Sequence, residues 1–544
     1  MRVLIFHGYL LSGTGSNVYT ARLCEALVAL GHEVHLLSQD RRAAGRPFVD
    51  AVGEWGSDGL TVRTVREPVR LTAYRPEIGP LLPVYVADRY EGVEARTFLA
   101  CTDGEVERYL AANVRAVREV CERVDPEVAL ANHLVMGPVI LSRALGGTVP
   151  YAVKIHGSAL EYTVKAAPER FLGLAREGLR GANAILVGSA HTARSLWDAL
   201  QDEAVRGRTR LGPPGVDTAL FRPIEEHGPA ALGRGPTARR LLAELCERLE
   251  GEARCADAQA TGAAGTARRG DGDSFERDPL AAAGTVAEME AAVADRDGPV
   301  VAFVGKLIVS KGVDLLLAAW PLVLQEAPDA TLAIVGFGAF RGAADELAGA
   351  LGAGDLDRAC QLASLGRRLE GAGEAEPLRY LLAFLADLGG ERLERYARAA
   401  RSMGERVRFC GRLDHEELAL LLPVCEAVVV PSTFPESFGM IAAEAAACGS
   451  LPVSAAHSGL AEVSEALGAT LAPEVRGLLG FPLGERAVPA IAERVLAWLG
   501  AEEEVRRSTR DALVAAVREQ LSWEGVARAV IAGASGRLEA LRAP

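Results

Sequence analysis

Twice along this chain, short apolar runs alternate with stretches of helix-forming composition, and that alternation restricts the fold to parallel α/β architecture. In the first half, residues 3–6 form a buried-strand run, residues 8–16 a loop, residues 17–30 a predicted helix and residues 32–37 the next strand. Further strands are predicted at 128–131, 151–155 and 184–187, so this half reads as a doubly wound parallel sheet ending near Pro223. A second set begins with strand 300–304 and continues with helix 313–325, strands 331–335 and 407–409, helix 416–422, strand 427–430, helix 439–448 and strand 451–454. A chain of 544 residues exceeds what one hydrophobic core serves, which agrees with two domains.

Two segments interrupt the pattern. Residues 224–298 shift to Ala, Gly, Arg and Asp, with tracts such as 261–269 that lack the apolar residues of a core, and they read as a low-complexity linker with one helix near 237–249. A parallel crossover needs about a dozen residues, so the Ala-, Leu-, Arg- and Glu-rich stretch at 339–403 reads as a helical insertion. The expected organisation is therefore 1–223, a linker at 224–298, a second domain at 299–485 and C-terminal helices at 486–544.

The 72 acidic and 59 basic residues give a net charge of −13, and no basic stripe is present, so nucleic acid is not an expected partner. Lysine occurs only at Lys154, Lys165, Lys306 and Lys311, which makes each position informative in an arginine-rich chain. Nine scattered cysteines without a C-x-x-C spacing suggest neither a disulfide framework nor a zinc site and fit a reducing cytoplasm. No run of 18 apolar residues is present, so no membrane span is expected. Peripheral contact with the inner face of a membrane, through an amphipathic arginine-bearing helix, is left open.

The segment Glu436-Ser-Phe-Gly-Met-Ile-Ala-Ala-Glu444 lies between an apolar strand and a helix that ends at Cys448-Gly449. With the helix starting near Phe438, the amides of Gly439, Met440 and Ile441 point out of its positive end and form an anion site. Glu444, one turn on, is placed to bond a ribose diol, and Glu436 to reach sugar hydroxyls. An ordinary acidic helix turn is the plain alternative. The segment Val304-Gly305-Lys306-Leu-Ile-Val-Ser-Lys311-Gly-Val-Asp314 follows the first strand of the second sheet, the edge where open α/β sheets bind ligands. Its two ammonium groups can neutralise a departing diphosphate, while surface lysines remain the competing reading. In the first half, His156-Gly157 also follows a strand, and Gly13 and Gly15 make a loop whose backbone can approach a ligand closely. His133 is a further strand-end candidate.

These motifs, with Pro213-Pro-Gly-Val-Asp217 and Phe221-Arg-Pro223, resemble the retaining nucleotide-sugar glycosyltransferases of family 4, the group 1 glycosyl transferases. The resemblance covers residues 1–223, about 299–340 and 404–485. It implies the GT-B fold, two Rossmann-like domains facing each other across a cleft, the first on the acceptor side. It also implies that Lys306 and Lys311 hold the donor diphosphate, Glu444 the ribose and Glu436 the transferred sugar, with His156 and the Gly13–Gly15 loop facing that sugar. Lys306 stands where the family commonly has arginine, keeping the charge but losing the bidentate fork. Base recognition would use backbone near Gly336 and at Gly411, Arg412 and Leu413. The helix near 488–498 and the stretch 522–530 would cross back onto the first domain. The implied activity is hexosyl or other glycosyl transfer from a nucleotide diphosphate sugar to a sugar, lipid-linked or small-molecule acceptor, with retention and without metal or other cofactor. A non-hydrolysing nucleotide-sugar epimerase and an inactive nucleotide-sugar-binding partner subunit are the alternatives.

Two other patterns are set aside. Gly13-x-Gly15-x-x-Val18 with Asp40 imitates a dinucleotide fingerprint, but residues 8–12 separate it from the strand and Val18 replaces the third glycine. Asp271-x-Asp273 and Asp295-x-Asp297 follow no strand and read as solvated acids rather than metal ligands.

Overall fold

The computed structural model describes residues 1–57, 59–86, 93–227, 234–260, 278–296, 298–371 and 376–544. They form two compact units, Met1–Gly215 with Leu521–Pro544, and Val216–Gln520.

The strands of the first unit are β1 (Arg2–Phe6), β2 (Glu33–Leu37), β3 (Ala51–Gly56), β4 (Gly59–Thr64), β5 (Leu71–Arg75), β6 (Leu81–Val84), β7 (Glu94–Thr97), β8 (Val128–Asn132), β9 (Tyr151–Ile155), β10 (Ala184–Val187) and β11 (Thr209–Leu211). Among the described residues, nine of them form one sheet in the order β11-β10-β9-β8-β1-β2-β5-β3-β4, and β6 pairs with β7 separately. Every pairing is parallel except β3 with β4. Strand period two sends alternate residues to opposite faces. Leu4, Phe6, Ala129, Ala131, Val153 and Ile155 join one core with helices Asp103–Val124, Gly137–Leu145 and Pro168–Arg180. Val3, Ile5, Val128, Leu130, Ala152 and Leu186 join the other, with helix Gly15–Ala29 and the last long helix, Trp523–Ala534. Strands β3 and β4 escape sequence reading because they form a half-exposed edge hairpin, where polar residues are compatible with a strand.

The second unit contains β12 (Val300–Val304), β13 (Thr331–Val335), β14 (Val407–Gly411), β15 (Ala427–Val430), β16 (Leu451–Ala455) and β17 (Gly480–Phe481), in the parallel order β14-β13-β12-β15-β16-β17. The insertion is helical, with Arg341–Ala353, Leu356–Leu365, Arg379–Asp387 and Gly390–Ala400 as its longer helices. It is tied to helix Val313–Glu326 by Tyr396, whose buried hydroxyl donates to the Ala318 carbonyl at 2.9 Å.

Two expectations are corrected. The linker reading of 224–298 fails for helices Arg234–Ala260 and Pro279–Arg296, which pack on each other as part of the second unit. Leu241, Leu242, Leu245 and Leu249 fall at helical spacing and are fully buried, with Val286 and Met289 from the second helix. Alanine- and arginine-rich composition concealed this apolar stripe. The tract 261–269, Asp271, Asp273 and Asp297 lie outside the described residues, as does the side chain of Asp295. The second correction concerns helix Ala487–Leu499, which does not return to the first unit. It packs against helix Val313–Glu326 of the second, burying Val488, Ile491, Val495 and Trp498, whose indole donates to the Glu426 carbonyl at 2.8 Å. Leu521–Pro544 belongs to the first unit.

Candidate active site

In the second unit the chain runs from β12 to β13 and β14 on one side, then returns to place β15 on the other side of β12. A parallel sheet leaves its ligand crevice at such a reversal, beyond the carboxyl ends of the strands. Lys311 lies in the loop after β12 and Glu436 in the loop after β15, and the Lys311 ammonium donates to Glu436 Oε1. The Ser432 hydroxyl donates to the same oxygen at 2.6 Å, and the Glu436 amide donates to Ser458 Oγ at 2.9 Å. Burial pushes the Glu436 carboxyl up, but Lys311, Ser432 and His457 outweigh it and hold the group below the usual carboxylate range. His457 is itself oriented, its Nε2 donating to the Ser432 carbonyl at 2.7 Å.

Close backbone contact explains the glycines here. A Cβ on Gly312 would overlap the Pro431 carbonyl, and one on Gly459 would come within 2.6 Å of the Phe438 amide nitrogen and 2.7 Å of the Glu436 carbonyl. The two loops are thereby interlocked without intervening side chains.

The helix after Glu436 spans Met440–Ala447, two residues later than the sequence suggests. Gly439 is its N-cap in the left-handed region, with φ of 109°, and forms the turn rather than the first helical residue. Met440 and Ile441 open the helix, whose first amides have no acceptor within it, and its first turn carries no acid. Glu444 is buried on the inward face and bonded to His415 Nε2 at 3.3 Å. His415 in turn meets the Phe221 ring edge-on, at 5.8 Å.

Lys306 follows Gly305 at the end of β12, and the Phe337 ring after β13 is near two cations. The Lys306 ammonium is 5.9 Å and the Arg412 guanidinium 5.7 Å from its centroid. Arg412 also pairs with Asp414 at 3.1 Å, next to the buried Leu413. Gly336 and Gly338 are threaded against the Gly305 and Leu307 carbonyls, where no side chain would fit.

The first unit has its own strand-order reversal, between β1 and β8. Three histidines gather beyond it: His7 after β1, His133 after β8 and His156 after β9. The His133 ring lies 4.9 Å from His156, 6.0 Å from His7 and 4.5 Å from Tyr85, and neither of its ring nitrogens has a hydrogen-bond partner among the described residues. His156 Nε2 meets Asn132 Oδ1 at 2.7 Å, and the Tyr19 ring stands edge-on to His156. Burial pushes all three imidazoles down, His7 to about 4 and the other two well below the usual value. Fully buried Lys154 donates to the Gly212 carbonyl at 2.5 Å, and burial brings its ammonium down to about 7. Gly13, with φ of 93°, turns the chain into helix Gly15–Ala29, which begins at Gly15. Asp40 accepts from Arg46, the Arg42 amide and the Leu11 amide, a loop-bracing role.

Sequence reasoning missed Ser432, His457, Ser458, Phe337, His415 and Asn132. Each is an ordinary residue type at a strand or helix end, and position at a carboxyl edge was the one available signal. Among the described residues no group of three or more His, Cys, Asp or Glu side chains could hold a metal ion, and no helix is long and apolar enough to cross a membrane.

Comparison with known proteins adds an independent line. Glycosyl transferases group 1 matches residues 381–510, and glycosyl transferase 4-like domain matches residues 14–215. An uncharacterized glycosyltransferase of Methanocaldococcus jannaschii is 25% identical over 236 residues, 43% of this chain and 44% of that protein. The chain thus covers less than half the length of that relative. Sucrose-phosphate synthase from Thermosynechococcus elongatus superposes over 99% of both chains, with a TM-score of 0.52 and 19% identity. Anabaena HepE in complex with UDP and glucose superposes over 98% of this chain and 99% of its own, with a TM-score of 0.53 and 15% identity. At these identities the likeness is one of fold, and that fold is GT-B, with two Rossmann-like units.

Proposed function

The chain belongs to the glycosyl transferases group 1, and we propose that it moves a sugar from a nucleotide diphosphate to an acceptor hydroxyl, with retention of anomeric configuration. The observation that carries this reading is the Lys311–Glu436 contact at the strand-order reversal, beside the open end of helix Met440–Ala447. A diphosphate seated on that helix end meets the first-turn amides and the positive dipole, and shares Lys311 with Glu436. Lys306 and Arg412, both within 6 Å of the Phe337 ring centroid, add cationic charge. Glu444, held by His415, bonds the ribose diol, and Glu436 bonds the hydroxyls of the transferred sugar. His156 and the loop at Gly13 and Gly15 are the sugar-facing groups we assign to the first unit. That HepE was solved with UDP and glucose supports this donor class.

In the proposed reaction the C–O bond to the diphosphate breaks first and its electron pair passes to the leaving phosphate oxygen. That oxygen takes the acceptor proton as the acceptor oxygen bonds the anomeric carbon on the same face. Glu436 is ionised but committed to Lys311 and Ser432, which favours orientation of the sugar over attack on it. Ammonium groups and helix-end amides supply the neutralisation, so we read the chemistry as metal-independent. All nine cysteines are free thiols, which supports a reducing, cytoplasmic setting. The acceptor is a sugar, a lipid-linked sugar or a small molecule.

The reading is tested by a thermal-shift screen against UDP-, GDP-, ADP- and dTDP-sugars, since a bound donor stabilises by mass action. The active donor is then followed by NMR of the product in chelator. Expected are a stabilising donor and a product of unchanged anomeric configuration. An inverted product, or loss of turnover in chelator, refutes the corresponding part, and Glu436→Ala should bind donor but transfer nothing.

A further inference from the structure

The group that orders His156 lies on three other elements and has no assigned role. Six polar groups in the first unit form one buried chain of hydrogen bonds, and its proton order can be worked out from one end. The Asn17 amide nitrogen donates to the Ser12 carbonyl at 2.7 Å, so Asn17 turns its oxygen toward His7. His7 Nε2 faces only acceptors, that oxygen at 2.9 Å and the Leu10 carbonyl at 3.0 Å, and therefore carries the proton. Burial keeps His7 neutral at pH 7, which leaves a lone pair on Nδ1.

The Thr20 hydroxyl has one proton and two acceptors in reach, His7 Nδ1 at 3.2 Å and the Ser16 carbonyl at 2.9 Å. Whichever receives it, that proton is spent. The Asn132 amide, 3.3 Å away, must then be the donor to Thr20 Oγ1. Its oxygen consequently faces His156 Nε2, at 2.7 Å, and this nitrogen must be protonated. In a neutral imidazole the other nitrogen is then an acceptor.

We propose that Asn132, ordered through Thr20 and His7, is a positioning residue that locks His156 in its Nε2–H form, so that Nδ1 is the nitrogen that accepts when the imidazole meets a substrate hydroxyl. The same chain ends at Ser12, so the loop carrying Gly13 and Gly15 is tied to the imidazole whose proton it orders. The hydroxyl contact rests on the transferase reading given above, whereas the tautomer does not.

Three outcomes decide it. In protein labelled with [15N]histidine, long-range proton–nitrogen correlation at pH 7 should give His156 a protonated Nε2 and a lone-pair Nδ1, with the resonance assigned by its loss in His156→Gln. A protonated Nδ1, or an imidazolium, overturns the proposal, and this holds whether or not any donor is turned over. In Asn132→Leu the tautomer should become mixed and kcat fall about tenfold or more, with donor KM changed less than about threefold, as expected when orientation rather than binding is lost. An unchanged tautomer or an unchanged kcat also overturns it, and if this variant does not fold, the wild-type spectrum decides alone. Asn132→Asp should introduce an acid limb near neutrality, because a carboxylate against Nε2 favours the imidazolium. His7, His133, Lys154 and Tyr19, which face His156 from neighbouring elements, carry no carboxylate. A pH profile identical to wild type counts against the proposal.

Discussion

Replacing Lys311 by methionine keeps the length of the side chain and removes its charge. The charge has two roles that can be separated. In the unliganded protein it pairs with Glu436, the two side chains being 31% and 23% exposed. A unit pair at about 4 Å and an effective dielectric of about 20 is worth roughly 4 kcal/mol before desolvation. Partial exposure and the cost of desolvation reduce the net effect on stability to about 1–2 kcal/mol. The sign with pH follows from the lowered Glu436 carboxyl: the pair stabilises the fold above the ordinary carboxylate range and is lost as acid protonates Glu436. The variant should therefore melt lower than wild type at pH 7, and the gap should close toward pH 3. During transfer the same ammonium faces charge developing on the diphosphate, with no Glu436 desolvation to offset. The full figure of about 4 kcal/mol then applies, roughly three orders of magnitude in kcat. Release of nucleoside diphosphate, assayed at saturating donor, measures this directly. A kcat within threefold of wild type, in a variant whose melting temperature has fallen as described, would refute the transition-state role while leaving the ion pair intact.

Burial pushes the Asp314 carboxyl from 3.8 up to about 7, so the native side chain binds its proton more tightly than the unfolded one. Stability tied to this group is full below about pH 4 and is lost as pH rises through about 7, by at most roughly 4 kcal/mol. Asp314→Asn should raise the melting temperature at pH 8 and leave it nearly unchanged at pH 4, and an equal change at both speaks against a protonated native Asp314. Gly459→Ala should preserve the fold yet cut kcat, because its Cβ would displace the backbone from Glu436 to Phe438. Unimpaired turnover would show that Glu436 tolerates the shift. Truncation after Leu521 removes the buried Val526, Val530 and Ile531 from the first unit, at about 1.5–3 kcal/mol each as an upper bound. That sum approaches the whole stability of a domain, so calorimetry should lose one transition, and an unchanged trace would contradict the packing described.

Where one physical cause dominates, the sequence reveals the structure. Strands β10, β12 and β15 are continuous apolar runs, and hydrophobicity alone delimits them. The motif glycines were legible because close backbone contact admits nothing else. The edge strands β3 and β4 were not, since half-exposed positions carry no such pattern. Helix Arg234–Ala260 was hidden by composition, although its four buried leucines keep helical spacing. At the site, Lys311 and Glu436 were recognisable separately, while their direct contact depends on the order of strands across the sheet, which no local pattern encodes. Asn132 had no signal of its own, because its role follows from where another residue's single hydroxyl proton goes.

The first unit is assembled from two segments far apart in sequence, Met1–Gly215 and Leu521–Pro544. Val3, Ile5, Val128 and Leu130 are complete in the nascent chain long before Val526, Ala527 and Val530 arrive to cover them. At a synthesis rate of about 5–20 residues per second, the interval from Gly215 to Leu521 lasts roughly 15–60 seconds. Throughout that time an apolar sheet face on the ribosome lacks its final covering helix, whereas Val216–Gln520 is contiguous and can finish before release. Production of this protein should accordingly depend on a holdase able to occupy that face until Leu521–Pro544 has emerged.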